Sequence, residues 1–127
     1  EHLLHHLNMV GLHEVFPDDW GITTRSTLHR SMRKALEESW YVVDYLDEFD
    51  DEEEAERVLL QEYSYWVIST EWDLQRPFGP DAENGEWNLS DPERFRSLQP
   101  ELHAAFDRTI PSVLTPPNRA ALAAFAE

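Results

Sequence analysis

Asp51-Glu52-Glu53-Glu54-Ala55-Glu56-Arg57-Val58-Leu59-Leu60-Gln61-Glu62-Tyr63-Ser64-Tyr65-Trp66-Val67-Ile68-Ser69-Thr70-Glu71-Trp72 is the stretch whose period decides the fold class. Leu59, Tyr63, Trp66, Val67 and Thr70 recur at steps of three and four, the spacing of one buried helical face. The four acids at its head suit the positive end of a helix. The spacing predicts a helix from about Asp51 to Trp72. Upstream, Leu28, Met32, Ala35, Leu36, Ser39, Val43 and Leu46 repeat in the same way, which predicts a second long helix from about Thr24–Ser26 to Asp47. Only a few residues join the two, so an antiparallel hairpin is expected.

Shorter elements surround this pair. Leu3, Leu4, Leu7 and Val10 predict a helix over residues 1–12, with Gly11 as terminator. Residues 13–24, with Pro17, Asp18, Asp19 and Gly21, predict a loop. Residues 75–90, with Pro77, Gly79, Pro80, Asn84 and Gly85, predict a long irregular loop. Ser90-Asp91-Pro92-Glu93 opens a short helix, with proline where no N–H partner is lost. Gln99-Pro100-Glu101 opens another, carrying Leu102, Ala105, Phe106 and Ile110. Thr115-Pro116 opens the last, carrying Ala120, Leu122, Ala123 and Phe125. No pair of strands is evident. The expected fold is therefore all-α: an antiparallel long-helix hairpin packed with several shorter helices and irregular loops, in a single domain over 1–127. The chain opens on Glu1-His2-Leu3-Leu4, inside what reads as a helix and without an initiator Met, so it is expected to be a fragment of a longer protein.

Composition narrows function further. The chain holds 26 acids against 10 bases, a net charge of −16, with 41% apolar residues and five tryptophans. The apolar content supports a real core. The charge argues against nucleic acid and against anionic membranes, because phosphate groups need clustered Lys and Arg. A basic protein or peptide, or a cation, is the better electrostatic match. The single lysine, Lys34, and the excess of acids also suit a surface adapted to a salt-rich medium, and that reading stands ahead of a specific basic partner. No apolar run reaches the roughly 18 residues of a membrane span. Without cysteine there is no disulfide and no thiolate metal site. Four scattered glycines give no phosphate loop. The run Asp47, Glu48, Asp50, Asp51, Glu52, Glu53, Glu54 has no glycine for the bend of a calcium loop and reads as a solvated face. Trp72 and Trp87 flank the long loop, and line a groove if exposed or pin the loop if buried.

One constellation has metal-ligand spacing. His2 and His6 in Glu1-His2-Leu3-Leu4-His5-His6 are four apart and share a helical face, so two imidazoles can meet one ion. His13 and Glu14 follow. The stretch resembles the zinc-binding helix of the zincin metalloproteases. That pattern places a Glu general base directly after the first His, where this chain has Leu3. In one zincin branch the third ligand is a Glu on a later helix, and the resemblance then implies Glu62. The implied ligand set is His2, His6 and Glu62, the implied cofactor is zinc, and the implied chemistry is hydrolysis by a metal-activated water. With the departure at Leu3, the resemblance implies either a zincin-like domain or a catalytically impaired remnant, binding a divalent metal. The alternative is an acidic protein–protein interaction module, presenting Asp44–Glu56 to a basic partner without enzymatic activity. Aromatic residues on the two long helices also allow a homodimer.

Overall fold

The computed structural model describes residues 11–23, 25–44, 46–78, 85–116, 118 and 120. Helices run over His13–Val15 (α1), Pro17–Trp20 (α2), Thr27–Glu37 (α3), Glu52–Glu71 (α4), Gln75–Phe78 (α5), Pro92–Leu98 (α6) and Pro100–Thr109 (α7), with 3-10 turns at Leu46–Glu48 and Ile110–Ser112. The fold is all-α, and no strand longer than one isolated bridge occurs among the described residues.

α4 is the axis of the molecule and starts and stops where its sequence dictates. The Asp51 carboxylate accepts from the Glu53 N–H and closes the N-terminus. Leu59, Tyr63, Trp66, Val67 and Thr70 are all buried, and so are Leu60, Ser64, Ile68, Ser69 and Glu71. The C-terminal half is thus covered on nearly every side. Ser64 and Ser69 satisfy their hydroxyls by donating to the carbonyls of Leu60 and Tyr65 one turn back. α3 and α6 pack against α4, and α7 packs against both α3 and α6.

α3 begins as its sequence indicates, with the Ser26 hydroxyl accepting from the His29 N–H. Leu28, Met32 and Ala35 are fully buried. The helix then ends at Glu37, well short of Asp47. Ser39 adopts φ +59°, and the N–H groups of Trp40 and Tyr41 both turn back to the Ala35 carbonyl. Beyond that point the chain is extended. Val42 N–H donates to the Glu86 carbonyl, Asn88 N–H donates to the Trp40 carbonyl, and Tyr41 faces Trp87 in an antiparallel bridge. Trp40-Tyr41-Val42-Val43 is aromatic and β-branched, a composition that favours extended backbone. Tyr41 gains a place in the core there, against Tyr63 and Trp87. Leu46, assigned to the buried stripe, is exposed as a result.

One other expectation changes. Residues 13–20 form two short helices rather than a loop. Pro17 sits in the first turn of α2, where its missing N–H costs nothing. Trp20 is fully buried and its Nε1 donates to Thr109 Oγ1 at 2.8 Å, tying α2 to α7. Gly21 is required by the close return of the chain, since a Cβ would stand 2.2 Å from the Pro17 carbonyl oxygen. Of the two readings of Trp87, burial holds over an exposed groove. It is buried, lies parallel to Trp66 at 5.9 Å between centroids, and donates to Thr70 Oγ1 at 2.9 Å. The helices expected at 1–12 and after Thr115 fall mostly outside the described residues.

Candidate metal centre

Glu71 is the last residue of α4, and its side chain is only 1% exposed. A buried carboxylate needs partners for both oxygens, and two later helices supply them. Asp91 caps α6 by accepting from the Glu93 N–H, which sets the register that brings Arg96 across to α4. Arg96 Nε donates to Glu71 Oε1 at 3.1 Å, and its Nη2 donates to the Glu71 main-chain carbonyl at 3.2 Å. The cation thereby also covers the negative end of the α4 dipole. Pro100 opens α7 with Leu102, Ala105 and Phe106 buried, so the next face of that helix turns His103 toward Glu71. His103 Nδ1 lies 2.7 Å from Glu71 Oε2.

The ring does not stop there. One turn further along α7, Asp107 places Oδ2 at 3.3 Å from His103 Nε2. Exposure rises along the row, from 1% at Glu71 to 30% at His103 and 63% at Asp107. The three residues offer ligand atoms within 4.8 Å of one another. The row therefore leads from a carboxylate in the core, through an imidazole, to a carboxylate in water.

A second histidine–glutamate–arginine group sits near the other end of α4. His29 Nε2 meets Glu56 Oε1 at 2.7 Å, and Arg33 Nη2 donates to the same oxygen at 2.6 Å. The His29 hydrogen bond, helped by Arg33, holds the Glu56 carboxyl below its usual range. His13 is buried with Nδ1 on the Trp20 carbonyl, while its Nε2 has no partner among the described residues. Burial pushes this imidazole down toward its neutral form. Tyr63, buried against Ser31 Oγ at 2.7 Å, is driven up by the same cause.

His2 and His6 lie outside the described residues. Glu62 is half-buried on α4 and is hydrogen-bonded or otherwise paired. At about 100° per residue, Glu62 and Glu71 point to opposite sides of that helix. A site built on Glu62 and the group at Glu71 are therefore two different places. His13, the further ligand weighed in sequence, is not among the residues grouped with Glu71 and has its Nδ1 on the Trp20 carbonyl. Sequence reading passed over Glu71, His103 and Asp107. A local signal existed in the His103–Asp107 spacing of four on a helix, but nothing local links either to Glu71. The chain matches no protein-family model, no curated protein and no solved structure.

Proposed function

We propose that this chain is a helical domain that binds a divalent cation of the zinc type at the Glu71, His103 and Asp107 group. The observation that carries the reading is the convergence of one imidazole and two carboxylates, with ligand atoms within 4.8 Å, on a frame where Glu71 is held from behind by Arg96. An imidazole among the donors favours zinc, copper or nickel over magnesium and calcium, which prefer an all-oxygen shell. The His2, His6 and Glu62 set implied by the zincin resemblance is a separate proposal, since Glu62 and Glu71 point to opposite sides of α4.

Elemental analysis of tag-free protein after zinc loading and desalting tests both. Stoichiometric zinc that is lost in His103→Ala and kept in His6→Ala supports the present site. Zinc lost in His6→Ala and kept in His103→Ala transfers it to the N-terminal set. Absence of zinc from the loaded protein overturns both and leaves the second reading, an acidic interaction module. That reading is favoured by the exposure of Asp44, Asp47, Glu48 and Asp50–Glu54 beside exposed Val42 and Leu46. Its mark is binding to a basic peptide that weakens steeply with salt.

A further inference from the structure

Resting on the metal-binding reading above, we infer that the three residues have unequal roles: His103 Nε2 and Asp107 Oδ2 are the protein ligands, and Glu71 is not a ligand but the group that fixes the imidazole. Distances decide this. Zinc stands about 2.0–2.1 Å from an imidazole nitrogen and about 2.0–2.2 Å from a carboxylate oxygen. Two such atoms on a tetrahedral ion are then about 3.3–3.5 Å apart. The His103 Nε2 to Asp107 Oδ2 separation is 3.3 Å. The His103 Nδ1 to Glu71 Oε2 separation is 2.7 Å, the length of a strong hydrogen bond. An ion bridging that pair would be squeezed to an angle of about 80°.

Donor bookkeeping agrees. Glu71 accepts from Arg96 on Oε1, and its Oε2 faces His103 Nδ1. An ionised carboxylate can only accept, so the Nδ1 nitrogen carries the proton. In the neutral ring, Nε2 then presents a lone pair. Asp107 Oδ2, also an acceptor, faces that lone pair at 3.3 Å. A cation between the two satisfies both, whether a proton on Nε2 or a metal ion. On the buried side Glu71 is 1% exposed and already shares its carboxylate with the Arg96 guanidinium. The water-facing side has an exposed Asp107. A carboxylate on the far nitrogen fixes the tautomer and orientation of a metal-binding imidazole.

Among the described residues the arrangement supplies two protein ligands, which leaves the remaining positions of a four-coordinate ion to water or to an anionic or nitrogen ligand. The site is therefore that of an exchangeable surface ion open to a further ligand, rather than a closed structural zinc.

Long-range nitrogen–proton correlation spectra of the uniformly nitrogen-15-labelled protein, with and without zinc chloride, read the ring directly. The expected result is a metal-shifted Nε2 of His103 while Nδ1 keeps its proton. Competition titrations complete the test. Asp107→Asn should weaken zinc at least tenfold, whereas Glu71→Gln should retain Nε2 ligation and weaken zinc by about 10–100-fold. Zinc on Nδ1, or binding abolished as fully by Glu71→Gln as by His103→Ala, overturns the division of roles while leaving the metal site standing. If Glu71→Gln does not fold, the spectra of the unaltered protein still decide. No zinc-dependent change at either His103 nitrogen removes the metal-binding reading itself.

Discussion

The two ends of α4 carry the same three residue types in opposite burial. Near the N-terminus, His29 is 6% exposed and Glu56 is 33% exposed. At the C-terminus, Glu71 is 1% exposed and His103 is 30% exposed. An arginine attends the carboxylate in each, Arg33 in one and Arg96 in the other. Where the histidine is buried, its Nε2 meets an outer carboxylate and the group ends as a packed cross-link between α3 and α4. Where the carboxylate is buried, the ring's second nitrogen is turned outward onto Asp107. The same residue types bury the imidazole as a brace in one orientation and bring it to the surface in the other.

The largest expected contrast between the two groups is thermodynamic linkage to metal. At zinc near 100 times the dissociation constant, a native-only site adds about 2.7 kcal/mol to unfolding. Denaturant titrations should show that gain in the unaltered protein and in Arg33→Met, and not in His103→Ala. A gain that survives His103→Ala would erase the distinction between the two ends. Next in size is the loss of each arginine in metal-free protein. Arg96→Met strands a carboxylate in the core and should cost about 2 kcal/mol. Arg33→Met breaks an exposed pair and should cost less than about 1 kcal/mol. Equal costs in chemical denaturation would show that burial of the carboxylate is not what separates them.

The smallest effect is in acid. His29 holds Glu56 below its ordinary value of 4.5, so the unfolded chain takes up this proton before the folded one. The resulting stability is complete above that value and is lost as pH falls through the lower folded value. Glu56→Gln should therefore flatten the acid limb of stability below about pH 4.5. A thermal-unfolding series from pH 7 to 3 that runs parallel in the two proteins would contradict this.

Much of the frame was legible in the sequence, because it is set by local rules. Asp51, Ser26 and Asp91 are N-caps by side-chain chemistry alone, and the buried stripes of α4 and α7 lie at helical spacing. The failure at Trp40–Val43 is instructive. Val43 and Leu46 continue the period of α3, but a bridge to residues 86–88 wins over it. That competitor lies far away in sequence and leaves only a compositional trace. The candidate site escaped for a related reason. Glu71 reads as one more acid in a chain with 26 of them, and it becomes distinctive only when α6 and α7 bring Arg96 and His103 to it. His2 and His6 drew the metal reading because their pairing is local.

The clasp between Trp40–Val42 and Glu86–Asn88 also has a bearing on the order in which the molecule assembles. It joins the two ends of a loop that contains all of α4. Closing such a loop costs about 3 kcal/mol of chain entropy beyond the constant term. A single bridge with two hydrogen bonds recovers little of that alone. The closure becomes favourable only once Tyr63 and Trp66 are in place to receive Tyr41 and Trp87. Helix formation on α4 is therefore expected to precede the clasp, with α4 amides protected before those of Val42 and Asn88 in pulse-labelled hydrogen exchange.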